Sequence, residues 1–122
     1  MHALIIETES LIALMIQDVL AENGFDTFAF AATASEAIEA AEGRCPDLIV
    51  ADVDLSEGCG IEAVQSICSG KPIPVIFASD TLRDALARVP AAKALRKPFG
   101  TLALTAAVAE ARAPGLTAER GA

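Results

Sequence analysis

The sequence predicts an α/β domain, a doubly wound, five-stranded parallel sheet in the order 2-1-3-4-5. Three observations carry that expectation. Five short apolar runs alternate with segments of helical periodicity, which implies parallel strands joined by right-handed crossovers. The chain is 53% hydrophobic but only 4% aromatic, and its apolar residues are mainly Ala, Leu, Ile and Val, as in strands covered on both faces by helices. Finally, Glu7 and Asp52 close the first and third apolar runs, and their carboxylates meet on one rim only if those two strands are neighbours.

Each element has its own signals. Residues 3–7 read as a short buried strand, and Leu11, Ile12, Met15, Ile16, Val19 and Leu20 then recur at helical spacing, as core positions of a helix from Ser10 to Asn23 stopped by Gly24. His2 reads as a frayed terminal residue and Thr8 as the hydroxyl that caps the first helix. Thr27 to Phe30 form the second strand. Thr33 with Glu36 makes a capping box before a helix that ends near Gly43. Pro46 and Asp47 introduce the third strand, Asp54 to Gly60 form a polar loop, and Ile61, Val64, Ile67 and Cys68 mark the third helix. Ile73 to Ala78 form the fourth strand, Leu82, Leu86 and Val89 a short fourth helix stopped by Pro90, and Ala94 to Arg96 a brief fifth strand. Thr101 to Arg112 is a final alanine-rich helix. Residues 1–112 are thus one domain, and 113–122 a flexible C-terminal tail of small and polar residues.

Composition excludes several function classes. With 17 acidic against 9 basic residues the net charge is −8, and no Lys/Arg stripe offers a footprint for a nucleic-acid backbone. Cys45, Cys59 and Cys68 lack CxxC spacing and have His2 as their only histidine companion, which argues against a zinc site or a disulfide framework. No apolar run approaches the roughly 18 residues of a spanning helix. A soluble, unprocessed protein of a reducing cytoplasm, without a membrane partner, is the expectation.

The chemistry gathers at strand ends. Glu7 follows Ala3-Leu4-Ile5-Ile6, Asp52 follows Leu48-Ile49-Val50-Ala51, Ser79 follows Pro74-Val75-Ile76-Phe77-Ala78, and Lys97 follows Ala94-Leu95-Arg96. In a parallel sheet two carboxylates, a hydroxyl and an ammonium then share the rim where open α/β sheets place their sites. Ile5-Ile6-Glu7-Thr8-Glu9, Pro46 to Leu55, Gly58-Cys59-Gly60-Ile61-Glu62, Pro74 to Ser79 and Leu95-Arg96-Lys97-Pro98-Phe99 follow one another in order. With these motifs the chain resembles, from Leu4 to about Arg112, the receiver domain of two-component response regulators, a flavodoxin-like fold.

The resemblance implies a stand-alone receiver whose Asp52 accepts a phosphoryl group from a sensor histidine kinase or phosphotransfer protein. It implies that Glu7, Asp52 and the backbone carbonyl of Asp54 hold Mg²⁺, that Ser79 and Lys97 contact the phosphoryl group, and that the Lys97–Pro98 bond is cis. Catalysis is limited to self-phosphorylation and self-dephosphorylation, output goes to a downstream protein target, and a homodimer stays open. Two positions depart from the family pattern. Thr8 stands where a second metal-binding acid is usual, so it offers only a neutral oxygen and Mg²⁺ binding is expected to be weak. Ala94 stands where many receivers carry an aromatic switch residue. The alternative reading is therefore a degenerate receiver, a phosphorylation-independent binding module. A flavin carrier with the same strand order lacks the phosphate-cradling loop.

Overall fold

The computed structural model describes residues 1–55, 58–69, 71–79, 89 and 92–112. Among them are five strands and four helices: β1 (His2–Ile6), α1 (Ser10–Glu22), β2 (Thr27–Ala31), α2 (Ala34–Gly43), β3 (Leu48–Asp52), α3 (Gly60–Ile67), β4 (Val75–Ser79), β5 (Lys93–Arg96) and α4 (Thr101–Arg112). The strands form one parallel sheet in the order β2-β1-β3-β4-β5, as the convergence of Glu7 and Asp52 requires. The expected helix over Leu82 to Val89, apart from Val89 itself, and the tail after Arg112 lie outside the described residues.

Strand parity divides the interior in two. Ala3 and Ile5 of β1, Leu48 and Val50 of β3, and Ile76 and Ala78 of β4 pack with α1 and α4. Their alternates Leu4, Ile6, Ile49, Ala51, Val75 and Phe77 pack with α2 and α3. Successive side chains of a strand point to opposite faces, so three strands apolar on both faces need a helical layer on each.

Local chemistry sets the boundaries. Gly24 ends α1 with φ +96°, a left-handed conformation that glycine adopts without a Cβ clash. At Thr33 the hydroxyl accepts the Glu36 N–H at 3.1 Å, while Glu36 reaches back to accept the N–H of Ala32 at 2.8 Å, one residue earlier than a strict capping box. The fourth strand begins at Val75 instead of Ile73. Pro74 has no N–H to give a ladder, though its carbonyl accepts from Ile49 at 3.0 Å.

Three sequence expectations are corrected. Leu11, read as core, is 82% exposed, and Ala13 is buried in α1 instead. His2 is a buried member of β1, its ring nitrogen Nδ1 2.9 Å from the Thr27 hydroxyl and its N–H donating to Asp47. Thr8 does not cap α1: Glu9 occupies the N-cap, and no side chain closes the first turn.

Candidate functional site

The site is assembled at the C-terminal ends of the strands. β1 delivers Glu7, whose N–H continues the ladder to the Ala31 carbonyl at 2.9 Å, and β3 ends on Asp52. β4 ends on Ser79, which is buried, and its carbonyl accepts the Lys97 N–H at 3.1 Å, carrying the pairing of β4 and β5 one residue further. Lys97 is thereby returned across the sheet to the acids, and the bond that follows it, Lys97–Pro98, is cis.

One ammonium joins the two carboxylates. Lys97 Nζ donates to Glu7 Oε1 at 3.0 Å and to Asp52 Oδ2 at 3.1 Å. The remaining oxygens are held by backbone: Glu7 Oε2 accepts the Glu9 N–H and Asp52 Oδ1 the Asp54 N–H, each at 3.1 Å. The Glu7 and Asp52 side chains are 1% and 8% exposed, so these bonds stand in for much of their lost hydration. Burial raises the Asp52 pKa above the ordinary aspartate value and the nearby Glu7 charge adds to it, against the opposing hydrogen bond from Lys97. For Lys97 burial works to lower the pKa, but its bonds to Glu7 and Asp52 outweigh that and leave it raised.

The loop behind Asp52 is built to tight tolerance. Gly60 opens α3 and donates its N–H to the Val53 carbonyl at 2.9 Å, and a Cβ at this position would fall 1.9 Å from the Asp52 carbonyl oxygen. Only glycine lets α3 start against the end of β3. Asp54 pairs with Cys59 in a single antiparallel bridge across the same loop.

Of the residues singled out in the sequence, Glu7, Asp52 and Lys97 are in direct contact, and Asp54 meets Asp52 through its backbone N–H. Ser79 lies one residue beyond Ala78, the cross-strand partner of Asp52. Thr8 is exposed and lines, with Glu7, Ser10, Leu14, Phe30 and Glu36, a cleft of about 430 Å³ beside the acids. Reading α1 as an inward-facing helix missed that Leu14 and Phe30 form one wall of this cleft. Phe30 is 49% exposed, which no pattern in the sequence marks.

Mg²⁺ is the group implied for such a rim. The donor chemistry suits a hard cation: two carboxylates already converge on a single positive atom, and Mg²⁺ commonly uses one or two carboxylates and keeps several waters. Among the described residues no third His, Cys, Asp or Glu completes a metal-binding group with them.

Comparison with known proteins agrees with the geometry. The model of the response regulator receiver domain matches residues 3–109, and the chain belongs to that family of two-component signalling domains. It is 34% identical over 111 residues to the transcriptional regulatory protein PdtaR of Mycobacterium tuberculosis, covering 88% of this chain and 54% of PdtaR. The chain thus spans about half the length of that curated relative. The solution structure of the PhyR receiver domain from Erythrobacter litoralis superimposes with a TM-score of 0.77 at 30% identity, covering 90% of this chain and 88% of that one. PhyR from Brucella abortus gives a TM-score of 0.81 at 28% identity, covering 99% of this chain and 53% of PhyR. No helix among the described residues is long and apolar enough to cross a membrane.

Proposed function

We propose that this receiver accepts a phosphoryl group on Asp52 from the phosphohistidine of a sensor kinase or phosphotransfer protein and signals by binding a protein partner in the cytoplasm. The observation that carries the reading is the Asp52 carboxylate itself. It is buried at a strand end, with one oxygen on the Asp54 N–H and the other on Lys97. A carboxylate oriented in this way can act as a nucleophile in line with an incoming phosphorus.

In the transfer an Asp52 oxygen attacks phosphorus and forms the O–P bond of an acyl phosphate. The P–N bond of the donor breaks, and its electron pair stays on the imidazole nitrogen, which takes a proton from solvent. In this reading Lys97 neutralises charge on the phosphoryl oxygens and Ser79 donates a hydrogen bond to one of them. Glu7 and Asp52, with the Asp54 carbonyl, are the residues to hold Mg²⁺, which when bound supplies further charge neutralisation at the phosphoryl oxygens. Thr8 contributes no charge to that set.

The test is incubation with a radiolabelled small acyl-phosphate donor and Mg²⁺, followed by mapping of the label. Acid-stable but base-labile incorporation at Asp52, absent from a folded Asp52→Asn variant, is the expected result. A label retained in Asp52→Asn places the acceptor elsewhere. An unlabelled wild type leaves the second reading, a phosphorylation-independent docking module, which draws its support from Thr8.

A further inference from the structure

The large apolar side chains that the fold leaves exposed are concentrated on one side. Among the described residues they are Met1, Leu11, Leu14, Phe30 and Leu102, and all but Leu102 fall in the first 30 residues. Leu14 of α1 and Phe30 of β2 line the same open cleft of about 430 Å³, with Gln17 beside them. Apolar surface held in a concave site gains free energy when a partner covers it. This flank of α1 is turned away from the lysine of the rim: Ile12 and Met15 line a separate cavity with Lys97, Pro98 and Phe99.

Charge identifies what covers the cleft. Residues 1–43 contain eight acidic side chains and no Lys or Arg, whereas residues 44–122 contain nine acidic and nine basic ones. The whole net charge of −8 therefore resides in the stretch that forms β1, α1, β2 and α2. Glu7 is buried against Lys97, but Asp18, one turn beyond Leu14 on α1, and Glu36, at the edge of the cleft, are exposed. A second copy of the chain would bring a face of the same sign against this one, and an anionic membrane surface would be repelled likewise. We propose that the cleft between α1 and β2 docks a basic amphipathic helix of another protein, its apolar side chains seated on Leu14 and Phe30 and its Lys or Arg residues facing Asp18 and Glu36. This names the kind of partner for the function proposed above and rests on that reading only in taking the chain to act through a protein. The surface exists without phosphorylation of Asp52.

Calorimetric titration with a helical peptide of Leu and Lys, about 18 residues long so that a helix can form, tests the proposal against two controls, a Leu/Glu peptide of the same pattern and a Lys/Ser peptide without an apolar face. Only the Leu/Lys peptide should bind, and its affinity should fall several-fold between about 0.05 and 0.5 M salt. The double variant Leu14→Ala/Phe30→Ala, shown to be folded by circular dichroism, should bind about tenfold or more weakly. Leu102→Ala removes an exposed apolar side chain from α4 and should stay within about twofold of wild type. Asp18→Asn/Glu36→Gln should weaken binding about threefold or more and flatten its salt dependence, while Glu110→Gln on α4 should not. Equal binding of the Leu/Lys and Leu/Glu peptides, or equal losses in Leu102→Ala and the double alanine variant, overturns the proposal. So does a dimer in sedimentation that Leu14→Ala dissociates, since it gives the face to a second copy. If the double variant does not fold, nuclear magnetic resonance of the wild type decides: the peptide should shift the Leu14 and Phe30 signals and leave Leu102 in place, and the converse pattern overturns the idea. Failure of Asp52 to take the label, with these results intact, removes the proposed function and leaves the docking surface. Labelling without peptide binding does the reverse.

Discussion

At the scale of single residues the buried charges at the rim give the molecule a specific pH response. The folded state raises the Asp52 pKa, chiefly by burial, so it favours the protonated carboxyl relative to the unfolded chain. Stability from that group is complete below the unfolded value of about 3.9 and is lost as pH rises through the higher folded value. An asparagine in its place is neutral throughout. In metal-free buffer, the melting temperature of Asp52→Asn relative to wild type should therefore be lowest in acid, rise with pH and level off above the folded value. A difference that is constant from pH 3 to pH 8, or one that falls with pH, would show that Asp52 is not held at a raised pKa. Lys97 has its pKa raised as well, so its contribution is complete below about 10.4 and is lost only in more alkaline solution, which separates the two groups. The meeting of Glu7, Asp52 and Lys97 was legible in the sequence because each follows a strand whose end the sheet aims at one rim, β1 and β3 buried throughout and β5 only at Leu95. The sharing of a single ammonium was not, since it depends on where the chain turns after Arg96.

Elements were legible where one periodicity dominated and misread where two overlapped. In α1 the positions 11, 12, 15, 16, 19 and 20 fit a helical stripe, yet burial selects Ala13, Ile16, Val19 and Leu20. The stripe is wide enough for the helix to rotate, and its rotation is set by packing on β1 and α4, which no local pattern encodes. Leu11 is left 82% exposed, and Leu14, which lines the cleft with Phe30, 53%. Thr8 was misread because the N-cap of α1 falls one residue later, on Glu9. These assignments give a direct contrast. Leu11→Ser should cost less than about 1 kcal/mol, because it removes little buried surface, while Ile16→Ala should cost about 3 kcal/mol through lost burial and a cavity. Urea unfolding of the two variants checks this, and a Leu11→Ser loss as large as that of Ile16→Ala would put α1 in the rotation its sequence suggests.

On the scale of the whole molecule, one sheet serves two apolar layers, and damage on one side must be felt on the other. The strand order was legible because few arrangements of five parallel strands bring the first and third together. The division of the core followed from strand parity. β4 shows the coupling: Phe77, fully buried, packs toward α2 and α3, while Ile76 and Ala78 on the same strand pack toward α1 and α4. Phe77→Ala should cost about 4 kcal/mol, a large part of the roughly 6 to 18 kcal/mol expected for a domain of this length, and should lower the melting temperature by about 15 °C. The same substitution at Phe30, 49% exposed on an edge strand, should lower it by only a few degrees. With no Trp or Tyr in the chain, far-ultraviolet circular dichroism is the natural probe, and methyl resonances of Ile5 and Val108 report on the opposite layer. In Phe77→Ala those methyl signals should be lost at the same lowered temperature as the backbone signal, because β4 cannot leave one layer without leaving the other. Methyl signals that survive to the wild-type melting temperature would mean that the two layers unfold independently and that the sheet does not bind them into one cooperative unit.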